Sequence, residues 1–264
     1  MKIGFIGLGN MASAILRGVL NAKLVAPEEM IGYAATEKTR EKRAKEFGIK
    51  IGESNKEVAL LSDIIVLAVK PHILPGVIEE IDDAVSAEKL IVTVAAGKNI
   101  TWYIKALGKE RKIVRCMPNT PALVGAGCTA VCFHPSVEKE ERETVVGMLT
   151  CLGQAYEIPE RMMDIFGAVA GSSPAYVFMF IEALADAAVA GGIPRAQAYE
   201  FAGQAVLGSA KLLLESGKHP GELKDMVCSP AGTTIQAVRM LEKRGLRAAV
   251  MDAVDACVKR TKEL

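Results

Sequence analysis

The amino-acid sequence predicts an α/β chain in which a parallel-sheet domain over residues 1–161 is followed by an all-α domain over residues 162–264. Three observations indicate this division. In the first part, short runs of β-branched residues alternate with longer amphipathic segments, as a parallel sheet with crossover helices requires. Beyond Met163, segments bounded by helix start and stop signals replace those runs. A glycine-rich turn directly follows the first strand, which is typical of nucleotide-binding sheets.

The strands of the first domain are short and apolar, as buried parallel strands are. Alanine-rich and charged segments between most of them supply the helices. The predicted strands are Lys2–Ile6, Met30–Ala34, Ile64–Val69, Leu90–Val94, Ile113–Cys116, Cys128–Cys132 and Ala155–Ile158.

The second domain carries helix signals at regular intervals. Ser173-Pro174 starts its first helix as an N-cap followed by proline, and Gly191-Gly192 ends it. Pro194 starts the next helix, which ends near Ser216-Gly217. Three more helices are predicted: one after Pro220, one from Thr233 or Thr234 to Gly245, and one running to the C-terminus.

The composition limits the function classes. The chain has 264 residues, 50% of them hydrophobic, with 32 Lys and Arg against 31 Asp and Glu. This balance argues against a protein that binds nucleic acid or membranes electrostatically. The six cysteines are scattered, and the glycines near the start interrupt any signal-peptide core, so we expect reduced thiols and a cytoplasmic location. Partners are then small molecules or further copies of this chain.

Two further absences are expected. Cys128, Cys132 and His134 are spread over roughly 13 Å or more of a strand, too far apart to hold one metal ion, so no metal site is predicted. The longest uncharged run, residues 165–181, contains Gly171-Ser172-Ser173-Pro174, which we expect to break a membrane helix. No segment is therefore expected to span a bilayer.

The helix at Pro174–Ala190 predicts a dimer. Its only charged residues are Glu182 and Asp186, so nearly its whole circumference is apolar and must be covered. We expect the C-terminal helices to pack against the same region of a second chain. The alternative is a helix covered within one chain, between the sheet and the other helices.

The turn Gly7-Leu8-Gly9-Asn10-Met11-Ala12 lies between a strand and a helix, the context of a dinucleotide-binding fingerprint. Its first glycine permits the tight turn, and the second lets the backbone approach the pyrophosphate. Ala12 in the third position still allows close packing of helix on strand. Gly7, Leu8, Gly9, Asn10 and Met11 are the predicted cofactor ligands.

Residues at the ends of later strands indicate which dinucleotide binds. The second strand ends in Tyr33-Ala34-Ala35, without the acidic residue that holds the ribose of NAD, and Thr36, Lys38 and Arg40 follow. A hydroxyl and two cations can bind a 2′-phosphate, so NADPH is favoured and NADH is the alternative. Two more strand ends should border the cofactor: Ala68-Val69-Lys70-Pro71 and Val94-Ala95-Ala96-Gly97.

Near the C-terminus, Ser229-Pro230-Ala231-Gly232-Thr233-Thr234 joins two helices. A turn of small residues at a helix N-terminus exposes backbone N–H groups, which bind carboxylates. This turn could therefore hold a small acid beside a nicotinamide. The alternative is that one of the threonines only caps the helix.

These features together resemble the pyrroline-5-carboxylate reductases over essentially the entire chain. The resemblance implies a Rossmann-type N-terminal domain and a helical dimerisation domain, with dimers that assemble further, often into decamers. It also implies NAD(P)H-dependent reduction of the cyclic imine 1-pyrroline-5-carboxylate to L-proline. The matching stretches are Gly7–Met11, Asn55-Lys56-Glu57, Ala68–His72, Met117-Pro118-Asn119-Thr120-Pro121, Ser172–Tyr176 and Glu222–Thr234.

The resemblance also assigns residues. It implies that Asn55 contacts the adenosine side of the cofactor and that residues 68–71 contact its ribose and nicotinamide. It further implies that Ser229, Gly232, Thr233 and Thr234 contact the substrate. Thr234 is the candidate catalytic residue that hydrogen bonds the ring nitrogen. Glu160 matches a residue near the substrate in some members. The chain departs from the family at Ser173 and Ala231, where glycine is usual.

Other functions would account for parts of this pattern. A β-hydroxyacid dehydrogenase would need a catalytic lysine on the long helix, but Pro174–Ala190 contains none. A different imine reductase, or a protein that binds NADP without turnover, would share the fold. The intact hydroxyls of the Ser229–Thr234 turn argue against loss of activity. The reductase hypothesis requires this turn and the glycine turn to meet in one pocket, within one chain or across subunits.

Overall fold

The structure is a computed structural model that describes residues 1–108 and 111–263. It contains two compact units, one formed by Met1–Ser172 with the C-terminal residues from Cys257 onward, and the other by Ser173–Ala256. The predicted boundary after residue 161 lies inside the first unit. Residues just beyond it still belong to that unit because Met163 is fully buried in its core.

The first unit is built on one eight-stranded sheet of order β3-β2-β1-β4-β5-β6-β7-β8. All of its pairs are parallel except β6 with β7. The seven predicted strands are confirmed with ends shifted by one or two residues, and β3 was not predicted because it is two residues long. The strands are β1 (Ile3–Ile6), β2 (Met30–Tyr33), β3 (Lys50–Ile51), β4 (Ile64–Leu67), β5 (Leu90–Thr93), β6 (Lys112–Met117), β7 (Gly127–Phe133) and β8 (Gly153–Glu157).

Strand register places four strand ends on one edge of the sheet. Ile6 lies opposite Tyr33 on one side and Leu67 on the other, and Leu67 lies opposite Thr93. The chain order reverses between β1 and β4, and ligands of open α/β sheets bind at the carboxyl edge beside such a reversal. The sheet therefore gathers the segments that follow β1, β2, β4 and β5.

Helices cover both faces of this sheet. Successive strand residues point to opposite faces, so Phe5 joins one core with Leu16 of α1, and Ile6 joins the other with Ile78 of α4. The helices of this unit are α1 (Asn10–Asn21), α2 (Glu37–Phe47), α3 (Asn55–Leu61), α4 (Leu74–Ile81), α5 (Ile100–Leu107), α6 (Lys139–Thr150) and α7 (Met163–Phe166).

The second unit is helical, and its predicted starts and stops are confirmed except for the start of its first helix. Pro194 is the N-cap of α9, and Gly217 ends that helix in the left-handed conformation, with φ of 64°. Helices α8 and α9 pack through the small buried residues Ala185, Ala198 and Ala202. The helices are α8 (Ser173–Ala190), α9 (Arg195–Ser216), α10 (Pro220–Val227), α11 (Thr233–Lys243) and α12 (Leu246–Thr261), of which the last helix continues from Cys257 into the first unit.

The predicted break before α8 is wrong. A π-helical turn at Gly167–Gly171 follows α7, and Ser172 keeps helical dihedrals of φ −93° and ψ −28°, so the chain bends there without ending the helical run. Glu160–Ala190 thus forms a helical stretch of 31 residues. Within the part of the chain that the structure describes, it is the one helix long and apolar enough to cross a membrane by length and composition.

The second unit leaves large apolar side chains uncovered. Phe178 and Met179 of α8 are 63% and 69% exposed, and Leu214 of α9 is 80% exposed. In α8 only Ala185 is buried, so the other helices of its own unit do not cover this helix. Several large exposed apolar side chains on two helices are typical of an interaction surface.

Candidate active site

The glycine turn after β1 requires glycine at its first position. Gly7 adopts φ of 93°, and a β-carbon there would lie 2.6 Å from the carbonyl oxygen of Ala68 and 2.9 Å from the side chain of Val69. Its N–H donates to the carbonyl oxygen of Tyr33 at 2.9 Å. The bare backbone of Gly7 therefore allows the ends of β1, β2 and β4 to approach closely.

The second glycine leaves open space in front of a helix N-terminus. Gly9 is the N-cap of α1, and a β-carbon on it would meet nothing within 4 Å. No side chain caps α1, and its first turn, which includes Asn10 and Met11, contains no acidic residue. Unpaired N–H groups at a helix start favour an anion, so the predicted pyrophosphate fits this turn.

The residues predicted to bind a 2′-phosphate lie together at the start of α2. Thr36 is the N-cap position of α2, its hydroxyl bonds to that of Thr39 at 2.7 Å, and Lys38 is exposed. Arg40 donates to the carbonyl oxygens of Ala34 at 2.7 Å and Ala35 at 3.2 Å. Arg40 therefore shapes this loop in addition to its predicted role.

The other predicted cofactor segments follow β4 and β5. The N–H of Ala68 donates to the carbonyl oxygen of Ile6 at 2.8 Å, while Lys70 is exposed and Pro71 half-buried. Ala95 is buried, Ala96 is half-buried, and the N–H of Ala95 donates to the Thr93 hydroxyl at 3.2 Å. The same edge therefore holds all of these segments.

Asn55 and Glu160 both have partners in the first unit. The amide of Asn55, at the start of α3, donates to Glu80 at 2.7 Å. One oxygen of Glu160 accepts from the N–H of Ile100 at 2.7 Å and from Arg115 at 3.3 Å. Because Arg115 is 4% exposed, Glu160 serves here as the partner of a buried cation.

Sequence reasoning missed one contact to the glycine turn. The Nε of Arg43, on α2, donates to the carbonyl oxygen of Leu8 at 3.2 Å. No motif marks this residue, because the contact depends on how α2 packs beside the turn. Leu8 itself is buried and packs against Gly32. A β-carbon on Gly32 would lie 2.7 Å from the Leu8 side chain.

In the second unit, the turn between α10 and α11 is tightly folded. The N–H of Gly232 donates to the carbonyl oxygen of Ser229 at 3.0 Å, and a β-carbon on Gly232 would lie 2.3 Å from the Ser229 hydroxyl. Ala231 has φ of 57°, the left-handed region that glycine favours. Ala231, where glycine is usual in the family, thus has a backbone conformation that is strained for a residue with a side chain.

The turn presents a helix start without a side-chain cap. The N-cap of α11 is Gly232, and the first turn of the helix contains no acidic residue. Neither Thr233 nor Thr234 is the N-cap, so the alternative that one of them only caps the helix is not supported. Their hydroxyls and the first N–H groups of α11 suit a carboxylate.

The cysteines have the character of structural thiols. All six are free, and burial raises the pKa of Cys132 to about 12 and that of Cys116 further still.

Among residues 1–108 and 111–263, no cluster of three or more His, Cys, Asp or Glu side chains could hold a metal ion.

Comparisons with known proteins cover the whole chain. Residues 160–264 match a family model described as pyrroline-5-carboxylate reductase dimerisation, and residues 2–97 match one described as NADP oxidoreductase, coenzyme F420-dependent. The pyrroline-5-carboxylate reductase of Escherichia coli K12 is 51% identical over 100% of this chain and 98% of its own. That of Methanosarcina acetivorans is 41% identical over 100% and 97%.

A solved structure agrees with these relatives. The crystal structure of Plasmodium falciparum pyrroline carboxylate reductase with NADP bound has a TM-score of 0.92 and 36% identity, covering 100% of this chain and 97% of that one. Full-length identity of this degree, a matching dimerisation model and the nucleotide-binding edge all lead to one assignment. The chain belongs to the pyrroline-5-carboxylate reductase family.

Proposed function

We propose that this protein reduces 1-pyrroline-5-carboxylate to L-proline with NAD(P)H, the last step of proline biosynthesis. The observation that carries the proposal is the start of α11, where N–H groups without a side-chain cap lie beside Thr233 and Thr234. Full-length identity of 51% to a pyrroline-5-carboxylate reductase supports it.

The cofactor is NADPH, with NADH as the alternative. Gly7, Leu8, Gly9, Asn10 and Met11 hold the pyrophosphate, because this turn combines a bare backbone with a helix start. The remaining contacts come from the strand ends and α3. They are Thr36 and Lys38 at the 2′-phosphate, Asn55 at the adenosine, and Ala68, Val69, Lys70, Pro71, Ala95 and Ala96 at the ribose and nicotinamide.

The protein's own residues bind and orient the imine. The N–H of Thr233 and the hydroxyl of Ser229 hold its carboxylate beside Gly232, whose own N–H is occupied by the Ser229 carbonyl oxygen. The hydroxyl of Thr234 hydrogen bonds the ring nitrogen. When bound, the nicotinamide supplies a hydride to the imine carbon. A protonated imine is already electrophilic, so holding the ring at a reactive distance of about 3 to 3.5 Å and excluding water account for most of the acceleration.

Assembly completes the proposal. A second copy of the chain covers the exposed apolar side chains of α8 and α9, giving a homodimer that can associate further into a decamer. The apolar stretch Glu160–Ala190 then faces protein and not lipid, in a cytoplasmic enzyme. Light scattering of the purified protein without detergent tests this: a dimer or larger species supports it, and a monomer or lipid-dependent aggregate contradicts it.

A direct assay tests the reaction. Purified protein is mixed with NADPH and 1-pyrroline-5-carboxylate, the nicotinamide absorbance is followed, and proline is identified in the product. Loss of absorbance with stoichiometric proline supports the proposal. Oxidation of a β-hydroxyacid with NADP⁺ instead would favour the dehydrogenase alternative, and nucleotide binding without turnover would favour a non-catalytic protein.

A further inference from the structure

Arg43 connects α2 to the peptide between Leu8 and Gly9. Its Nε donates to the carbonyl oxygen of Leu8 at 3.2 Å, and its Nη1 pairs with Glu46. The Arg43 side chain is 12% exposed, so the guanidinium is largely removed from water. Hydrogen bonds from a charged donor of this kind are stronger than neutral ones.

The contact with Arg43 orients the whole peptide group between Leu8 and Gly9. A trans peptide is planar, so the carbonyl of Leu8 and the N–H of Gly9 point in opposite directions. Arg43 holds the carbonyl on the side of α2 and thereby directs the N–H of Gly9 to the other side. The carbonyl oxygen of Gly9 accepts from the hydroxyl of Ser13 at 2.7 Å and from its N–H at 3.0 Å, so Ser13 holds one side of Gly9 and Arg43 holds the peptide that precedes it.

A second arginine provides an internal comparison. Arg17, on α1, also pairs with Glu46, at 2.6 Å, but its side chain is 48% exposed. Both arginines therefore contact the same carboxylate, whereas the contact with the Leu8 carbonyl comes from Arg43. Comparing substitutions of the two arginines therefore separates the effect of the hydrogen bond to Leu8 from the effect of packing around Glu46.

We propose that Arg43 is a positioning residue for dinucleotide binding. It keeps the N–H of Gly9 directed at the pyrophosphate and keeps the Leu8 carbonyl away from it. Because the pyrophosphate is common to both nucleotides, Arg43 sets the affinity for NADPH and NADH alike, unlike residues that contact a 2′-phosphate. This inference rests on the proposed nucleotide binding but not on the identity of the imine.

The test compares Arg43→Met with Arg17→Met in the full-length protein. Nicotinamide fluorescence gives the dissociation constants of NADPH and NADH, and turnover is measured at saturating cofactor. We expect Arg43→Met to raise both constants about tenfold, as loss of a charged hydrogen bond would, with turnover at saturation nearly unchanged. Arg17→Met should leave both constants within about twofold of the original protein.

Other outcomes overturn the inference. Equal effects of the two substitutions would show that Arg43 only packs α2, and weaker binding of NADPH alone would show that Arg43 reads the 2′-phosphate. If Arg43→Met does not fold, Arg43→Lys keeps the charge beside Glu46 but loses the planar fork, and unchanged binding of both nucleotides by that variant also overturns it. An unsubstituted protein that binds neither nucleotide refutes the proposed function instead.

Discussion

A β-carbon on Gly7 would lie 2.6 Å from the carbonyl oxygen of Ala68, at the point where β1 and β4 end side by side. The same addition to Gly9, two residues later, would meet nothing within 4 Å. One glycine of the turn is thus required by the fold, and the other leaves space for a ligand. This difference can be measured.

Gly7→Ala and Gly9→Ala should separate stability from binding. Gly7→Ala combines a clash with an unfavourable φ, so we expect the free energy of unfolding to fall by about 2 kcal/mol or more. Gly9→Ala should keep the melting temperature and raise the dissociation constant of NADPH at least about tenfold, because its methyl occupies the pyrophosphate space. Thermal denaturation and nucleotide titration check both, and an unstable Gly9→Ala protein would contradict the assignment.

Removing the Thr234 hydroxyl should impair turnover selectively. A positioned donor in an active site is worth a few kcal/mol, so Thr234→Ala should lower kcat for the imine by about 10²-fold. The dissociation constant of NADPH and the melting temperature should stay unchanged, because Gly232 and not Thr234 is the N-cap of α11. Thr234→Ser, which keeps a hydroxyl, is the control. Small and equal changes in kcat and cofactor binding would reject the role.

Lys38 and Arg40 should differ in their effects on the two nucleotides. Lys38→Ala should raise the Michaelis constant for NADPH and leave that for NADH unchanged, since only a 2′-phosphate needs the cation. Arg40→Ala should raise the Michaelis constants of both nucleotides, that of NADPH more, because Arg40 also donates hydrogen bonds to the carbonyl oxygens of Ala34 and Ala35. An unchanged ratio of the two Michaelis constants in both variants would place the phosphate elsewhere.

Ala231 offers a stabilising substitution. Its φ of 57° costs an L-residue about 1 kcal/mol relative to glycine, so Ala231→Gly should raise the free energy of unfolding by up to that amount. Ala106→Gly, at an exposed position within helix α5, is the control and should lower it by about 1 kcal/mol. Chemical denaturation at fixed protein concentration measures both. A destabilised Ala231→Gly protein would contradict the strained turn.

Tyr103 should make the free energy of unfolding decrease as the pH rises in the alkaline range. Burial raises the pKa of Tyr103 to about 12, and its hydroxyl bonds to that of Thr93 at 2.6 Å. The unfolded phenol ionises near pH 10, so the native state binds more protons above that pH, and stability is lost as the pH rises. The free energy of unfolding should fall by about 1 kcal/mol more between pH 9 and 11 than in Tyr103→Phe. Parallel pH profiles of the two proteins would contradict this.

Much of the fold follows from local pattern. Strand β4 is read directly from its run of apolar residues, and α9 from Pro194 and Gly217 at its two ends. The two-residue strand β3 carries too little pattern to be seen. The continuous path through Gly171 to Pro174 was missed because glycine and proline normally end a helix, whereas here a π-helical turn accommodates them.

The candidate site likewise contains residues that the local sequence predicts and residues that it does not. Gly7 and Gly9 are predictable because the nucleotide-binding turn has a fixed spacing between strand and helix. The additional role of Arg40 and the contact of Arg43 with Leu8 depend on how α2 packs, which no local spacing encodes. For Glu160, resemblance indicated the substrate, while the structure pairs the carboxylate with buried Arg115.

We propose that the glycine turn and the Ser229–Thr234 turn serve one reaction. A crystal structure of the assembled protein with NADP⁺ and proline tests it most directly. We predict the proline carboxylate on the N–H of Thr233 and the hydroxyl of Ser229, and the proline carbon that accepts the hydride about 3 to 3.5 Å from the nicotinamide C4. Nicotinamide and proline bound far apart in every pairing of subunits would contradict the account.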